Sequence, residues 1–306
     1  MSHVNEIKSF DSDSAPSVSM AILTCNRPTE LRVLLDRVQA QTMNILRICL
    51  VDTGLGEAPA DKGNLVYIKS AVNLGGAGGF SFALLAALAS GAEWIWMMDD
   101  DAYPIEPDCL QRLLNAAEKF GLDVVCPLVV APENQLLTSF PFKVGGKLTY
   151  ESSIVQKHEF LPNIGHFFNG ALIRRDVLFK IGLPDIRLFI RGDEVDFMLR
   201  LRKSKMKFGI LTSARVAHPT GWAEAHDVIK NRLSLLIPET SFKRYYFFRN
   251  RGVLARRHFR FLSFFADIVL YPYVFVVLRK GDWRGLRLWG SAFWDGLRFR
   301  FSSNGT

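Results

Sequence analysis

The stretch Glu93-Trp94-Ile95-Trp96-Met97-Met98-Asp99-Asp100-Asp101 constrains this chain more than any other. An apolar, aromatic-rich run follows Gly91 and ends abruptly in three consecutive carboxylates. Residues 94–98 have the length and composition of a buried strand, and Pro104 stops any continuation. Side chains alternate along an extended backbone, so Asp99 and Asp101 are expected on one side and Asp100 on the other. Two like charges on one side repel. A hard divalent cation that prefers oxygen ligands, Mg²⁺ or Mn²⁺, would offset that repulsion, whereas a solvated acidic turn would need none. The acids directly follow a buried strand, which is where open α/β sheets place their ligands.

The flanking sequence supports such a sheet. Residues 18–23 read as a strand, followed by Thr24-Cys25-Asn26-Arg27-Pro28, and Thr29 is placed to cap a helix over 30–40. Leu31, Leu34, Leu35 and Val38 recur there at helical spacing. A second strand over 45–51 ends in Asp52-Thr53-Gly54, and a third over 65–69 leads into Asn73-Leu74-Gly75-Gly76-Ala77-Gly78-Gly79. A helix over 80–90 then returns the chain to the central strand. This βαβ alternation predicts an α/β domain with a mostly parallel sheet flanked by helices. Further on, Asp108 is placed to cap a helix over 109–120. Residues 124–130 read as a strand, 136–160 as an irregular hairpin region and 167–173 as another strand. Helices are expected over 175–181 and 193–203, with short strands over 208–211 and 214–217, the last ending in His218.

Several of these stretches hold chemistry-bearing side chains. The glycine-rich run 73–79 suits a backbone that approaches a phosphate or sugar closely, but no Gly-Lys-Ser/Thr follows, and the spacing is not that of a dinucleotide fold. Asp52 either accepts hydrogen bonds from a nucleobase or ribose or caps a turn. Arg27 either meets a phosphate or is a solvated turn arginine. Asp193, Glu194 and Asp196 cluster at a helix start, where the dipole stabilises carboxylates; one of them would otherwise serve as a general base. His218 is either structural or completes an oxygen-rich metal site.

Charge and apolarity are unevenly distributed. Residues 240–306 carry thirteen Lys/Arg against three Asp/Glu, which leaves a net −2 for the rest of a chain of formal charge +8. The basic residues interleave with aromatic and aliphatic blocks, including the run 261–278. That pattern predicts an anionic membrane surface as partner and argues against nucleic acid, whose stacking platforms are spaced rather than blocked. Asp267 and Pro272 fall inside the run, so an interfacial helix is expected in place of a spanning one: Asp267 reaching water while Phe261, Phe264, Phe265 and Leu270 enter lipid. Residues 1–16 are polar and expected to be disordered, with no apolar signal segment for secretion. Four cysteines without a CxxC pair fit a reducing compartment.

Taken in order, these motifs resemble the family 2 glycosyltransferases of the GT-A fold. The resemblance rests on Thr24-x-Asn26-Arg27-Pro28, Val51-Asp52-Thr53-Gly54, Asn73 to Gly79, Asp99-Asp100-Asp101, Gly182-Leu183-Pro184-Asp185, Gly192-Asp193-Glu194-Val195-Asp196-Phe197 and His218. The Arg249-Asn250 pair after Tyr245-Tyr246 also recurs in the family. The span is about residues 18–250, and the similarity is greatest to bacterial galactofuranosyl- and rhamnosyltransferases. It implies a GT-A domain over 17–240 and a basic, membrane-associated helical region over 241–306.

The resemblance further implies that Asp99–Asp101 is the DxD signature, with Asp99, Asp101 and His218 holding Mn²⁺ or Mg²⁺ against the donor diphosphate. It implies donor contacts from Thr24, Arg27, Asp52, Asn73, Gly76, Gly79, Asp99 and Asp100. The family pair is Glu-Asp or Asp-Asp with the second acid as base, which points to Glu194, with Asp193 beside it. The expected reaction is an inverting transfer, most readily of galactofuranose from UDP-galactofuranose to a lipid-linked glycan, at the cytoplasmic face of the bacterial inner membrane. A rhamnosyl donor is the alternative. A nucleotidyltransferase would want a basic, glycine-rich loop after the first strand, which 24–28 lacks. A non-catalytic nucleotide-sugar scaffold would not need the acids.

Overall fold

The computed structural model describes residues 16–59, 63–230 and 232–301, so the expectation for the N-terminal tail lies outside the described residues apart from Pro16. Its first elements alternate as the hydrophobic pattern requires: β1 (Val18–Thr24), α1 (Pro28–Gln39), β2 (Ile48–Asp52), β3 (Leu65–Lys69), α2 (Gly75–Ala89) and β4 (Trp94–Asp99). A two-residue β5 (Tyr103–Pro104), α3 (Cys109–Phe120) and β6 (Val124–Val130) follow. The irregular region resolves into a hairpin of β7 (Leu137–Val144) and β8 (Lys147–Glu151), a single turn α4 (Ser152–Val155) and β9 (Phe160–Pro162). Then come β10 (Asn169–Arg174), α5 (Arg175–Ile181), α6 (Asp193–Lys203), β11 (Phe208–Ala217) and a separate hairpin of β12 (Ala225–Ile229) and β13 (Leu233–Leu236). Three helices close the chain: α7 (Ser241–Arg257), α8 (Phe261–Tyr273) and α9 (Trp283–Leu297).

The main sheet runs β3-β2-β1-β4-β10-β6-β11-β5. Its first four strands are parallel, but β10 lies antiparallel between β4 and β6, so the sheet is mixed where a mostly parallel one was expected. β1 is buried along its whole length because both faces are covered. Val18, Met20 and Ile22 pack with Leu34 of α1 and Leu113 of α3, while Ala21 and Leu23 pack with Phe80 and Leu84 of α2. The period of two thus feeds two cores, one on each side. The four cysteines are free, and Cys49, Cys109 and Cys126 are buried.

Local readings needed correction at helix starts. α1 begins at Pro28, with Arg27 at the N-cap, so Thr29 is not its cap. Proline suits the first helical position because the N–H it lacks would have no partner there. Asp108 precedes α3 without a capping bond and pairs instead with Arg112, 2.9 Å away. More consequentially, α2 begins at Gly75 and not at Phe80, so the glycine run is helix rather than loop. A Cβ on Gly79 would strike the Leu23 side chain, and one on Gly75 would strike the Phe189 carbonyl. Downstream, the two strands expected over 208–217 are one, with a register shift between Leu211 and Arg215.

The three C-terminal helices share a core of Phe248, Tyr271, Phe275 and Ala292 with Leu235 and Ile237. Thr240 caps α7 and Asp282 caps α9. Pro272 lies inside α8, and a π-helical turn, Val274–Leu278, follows it. Asp267 does not reach water. It is buried, and the Arg251 guanidinium donates to both its oxygens at 2.9 and 2.5 Å. Phe264 stacks on Phe293 and Leu270 packs on the helical core, so both turn inward. Leu262, Phe265 and Val269 remain exposed on the opposite face.

α7 and α9 meet backbone to backbone. A Cβ on Gly252 would overlap the Phe293 carbonyl, and one on Gly296 would overlap the Arg249 carbonyl. Backbone cannot swing aside as a side chain does. Gly296→Ala is therefore expected to lower unfolding free energy by about 1–3 kcal/mol, the usual range for overpacking, as measured by urea denaturation. Gly290→Ala, where an added Cβ meets nothing, is the control and should stabilise by about 0.5–1 kcal/mol, because a helix interior favours Ala over Gly.

Candidate active site

β1 has β2 on one flank and β4 on the other, so the connections leave it in opposite directions. That switch opens a crevice beyond the carboxyl ends of β1 and β4, at Thr24 and Asp99. β4 stops at Asp99, and the Ala102 N–H donates back to the Asp99 carbonyl at 3.2 Å. The strand alternation therefore ends before Asp100, and Asp100 does not point away from its neighbours. One oxygen of each of Asp99, Asp100 and Asp101 lies within 4.8 Å of the others.

Asp100 is held by the end of β1. The Thr24 hydroxyl and the Cys25 N–H donate to its Oδ2 at 2.7 and 3.2 Å. Arg27 Nη1 bridges Asp100 Oδ1 at 2.9 Å and Asp101 Oδ2 at 2.6 Å. The Thr24 hydroxyl thus serves Asp100, where a donor contact was expected. Asp101 Oδ1 is buried without a hydrogen bond and lies 3.4 Å from His218 Nε2. The His218 ring is kept in place by Phe140, which packs against it and stacks on His166. Three converging carboxylates, an orphaned carboxylate oxygen and an adjacent imidazole form a donor set that fits a hard divalent ion.

The second acid pair faces this cluster through one dipeptide. Phe168 accepts the Asp99 N–H at 2.7 Å, and the preceding Phe167 N–H donates to Glu194 Oε1 at 2.5 Å. Glu194 keeps partial exposure, whereas Asp193 is 4% exposed. A Cβ on Gly76 would lie 3.1 Å from Asp193 Oδ2, so the first turn of α2 must be bare to admit that carboxylate. Gly76 therefore belongs to the site, while Gly79 packs on Leu23 away from it. Asn73 accepts the Gly75 N–H at 2.8 Å and is otherwise exposed at the crevice side of α2.

Asp52 is already engaged within the protein. It is 2% exposed and already bonded to the Gly54 N–H at 2.7 Å, Tyr67 Oη at 2.9 Å and Lys69 Nζ at 2.8 Å. Burial works to raise its pKa, but Lys69, Gly54 and Tyr67 outweigh it and hold the carboxyl below the usual range. Asp52 thereby shapes the loop after β2.

Residues 19–182 match glycosyl transferase family 2. The chain belongs to that family. Galactofuranosyltransferase GlfT1 of Mycobacterium tuberculosis is 37% identical over 286 residues, covering 89% of this chain and 94% of its own length. GlfT1 of Mycolicibacterium smegmatis is also 37% identical, over 77% of this chain and 80% of its own. The fold is shared with GalNAc-T7 solved with UDP, GalNAc and Mn²⁺ (TM-score 0.55, 16% identity, 78% of this chain and 48% of that one). It is also shared with residues 1–349 of S. aureus TarS (TM-score 0.53, 13% identity, 93% and 82%). GT-A is therefore the fold of this glycosyltransferase.

In this family 2 glycosyltransferase the two acid groups differ electrostatically from solvated carboxylates. Burial, then Asp101 and Asp100, push the Asp99 carboxyl well up. Burial raises Asp100 despite its donors, and burial lowers His218. For Arg27, burial opposes the charge, but Asp101 and Asp100 prevail and keep it firmly protonated. Burial pushes Asp193 up to about 7; burial and then the Asp193 charge push Glu194 up to about 7. Sequence reading missed the partners that create this setting. The Phe167 N–H, Lys69 and Phe140 carry no motif, nor does Arg191, which pairs with Glu224 at 2.9 Å. Period-two spacing of Tyr67 and Lys69 toward one face was the one available signal.

A general base must be ionised before it accepts a proton. Because burial raises both carboxyls to about 7, kcat/KM for transfer should fall as pH drops through about 7, well above the ordinary carboxylate range. Glu194→Gln should remove that acidic limb from whatever activity remains. A limb at ordinary carboxylate pH would contradict the buried geometry.

Proposed function

We propose that this glycosyltransferase moves galactofuranose from UDP-galactofuranose to a lipid-linked glycan, with inversion and with Mn²⁺ or Mg²⁺. The observation that carries the reading is the dipeptide Phe167-Phe168, which anchors Glu194 on one residue and Asp99 on the next. That link supports a leaving-group site and a base on either side of a reacting carbon. The sugar follows from the galactofuranosyltransferases that share 37% of residues over 89% of this chain. Rhamnose from dTDP-rhamnose is the competing donor.

Asp99, Asp101 and His218 would hold the ion, with Asp100 fixed by Thr24 and Arg27. When bound, the ion neutralises charge on the departing diphosphate. The chain's own side chains do the rest. Arg27, half exposed beside Asp100 and Asp101, is placed to meet a phosphate. Glu194, backed by Asp193, takes the proton of the acceptor hydroxyl. That oxygen then bonds to the anomeric carbon as the bond to the diphosphate oxygen breaks, and UDP leaves with the electron pair. No covalent enzyme intermediate is needed.

The exposed face of residues Phe261–Leu278, apolar over 18 residues, supports a peripheral position on the cytoplasmic face of the bacterial inner membrane. With Asp267 turned onto Arg251, Leu262, Phe265 and Val269 present no acid to lipid. Anionic headgroups would meet the neighbouring arginines, each worth about 1 kcal/mol near the surface. A lipid-linked acceptor would then lie beside the enzyme.

Two experiments check this reading. Released UDP is measured across nucleotide sugars with Mn²⁺ and with EDTA. UDP-galactofuranose should be preferred, Asp101→Ala should be inactive yet folded, and Glu194→Gln should lose about 10²–10⁴-fold. Activity undiminished in EDTA would remove the metal from the reaction. In vesicle flotation, the full chain should rise with anionic vesicles at low salt, and Leu262→Glu/Val269→Glu should not. A full chain that stays at the bottom would end the membrane assignment.

A further inference from the structure

The loop that delivers Asp193 and Glu194 to the crevice is held by residues far outside 19–182. After a short 3₁₀ turn, Ile186–Leu188, the backbone takes φ of +64° at Phe189, +62° at Arg191 and +112° at Gly192. Bulky residues rarely adopt positive φ, and such conformations persist only where the surroundings over-determine them. Here the surroundings are two adjacent side chains of α7. Arg249 Nη2 donates to the carbonyls of Arg187 and Leu188 at 2.8 and 2.9 Å. Asn250 Nδ2 lies 2.8 Å from the Leu188 carbonyl, 2.8 Å from that of Ile190 and 2.7 Å from that of Arg191. The two are tied together, since Arg249 Nε and Nη2 both donate to Asn250 Oδ1 at 3.0 and 2.9 Å.

The remaining carbonyl, that of Phe189, accepts the Ala77 N–H at 2.9 Å. Each carbonyl from 187 to 191 is therefore bonded, four to the α7 pair and one to α2. Arg249 and Asn250 are 1% and 0% exposed. Burying a guanidinium is costly unless its donors are matched, and here they are matched to backbone, with the Tyr246 ring 4.6 Å from Arg249 Cζ. Asn250 also sits close over the loop's end: a Cβ on Gly192 would lie 3.0 Å from Asn250 Cβ. The next two residues are the carboxylates Asp193 and Glu194.

We propose that Arg249 and Asn250 are positioning residues for glycosyl transfer, fixing the carbonyls of residues 187–191 and so setting where Asp193 and Glu194 meet the acceptor hydroxyl. Neither side chain touches substrate in this scheme. The proposal rests on the reading of Asp193 and Glu194 as the base pair. It differs from a purely structural role because the loop serves the base and not the Asp99–Asp101 cluster, which stands on β4.

The test compares Asn250→Ala, Asn250→Asp and Arg249→Lys with the full-length wild type. Asn250→Asp keeps the shape but has no N–H to give the carbonyls, and Arg249→Lys keeps the charge but loses the fork. UDP binding with Mn²⁺, measured by calorimetry, should be unchanged in all three, as should the donor KM. The kcat for transfer should fall about 10²-fold in both Asn250 variants, the scale of an ångström-sized misplacement, and less in Arg249→Lys. Wild-type kcat in Asn250→Asp, or loss of UDP affinity in step with kcat in all three, would overturn the proposal. Asp193→Asn and Glu194→Gln run alongside separate the two levels. If both keep wild-type kcat, the base assignment fails; if either loses it while the α7 variants do not, the positioning role alone fails.

Discussion

Three carboxylates crowded at the end of a buried strand create the charge problem on which the site depends. Each is answered from a different part of the chain. Asp100 is bonded by Thr24, Cys25 and Arg27, which fixes the end of β1 and the start of α1. Asp101 turns toward Arg27 and His218, drawing in the end of β11. Asp99 is placed by the bond from its own N–H to Phe168, ahead of β10. The mutual repulsion is only partly relieved by one arginine, and that residual negative potential is what suits the cluster to a cation.

Much of this was legible in the sequence, for definite reasons. The strand into Asp99 could be read because burial on both faces leaves no polar residue in it, and α6 over 193–203 because Gly192 and its acids mark a helix start. The order of motifs carried the family. What failed were readings that depended on distant partners. The glycine run looks like a loop locally, yet it is helix because Leu23, Phe189 and Asp193 press against it. Asp52 looks available until Lys69 and Tyr67 fold onto it. Asp267 looks stranded in an apolar run until Arg251, sixteen residues earlier, covers it. In each case tertiary packing overrode a sound local rule.

The same long-range logic joins residues on either side of residue 240. Asp196 of α6 is 0% exposed and accepts hydrogen bonds from Arg200 within its helix, from Arg257 at the end of α7 and from His258 just beyond it. Arg257 also reaches Asp185 at 2.7 Å. α7 is thus bonded to both α6 and the loop before it, while α8 and α9 continue the packing outward. The segment that carries the exposed apolar face and the segment that carries Asp193 and Glu194 share one set of supports.

The carbonyl clamp of α7 also bears on how the enzyme comes into being. On the ribosome, β1 through α6 emerge before Arg249 and Asn250 exist as peptide, and domains tend to fold as their residues appear. An early α/β unit would already offer its acidic crevice, but the loop before Asp193 would lack the partners that hold its positive-φ residues. Synthesis order thereby leaves that loop unclamped until α7 has been made.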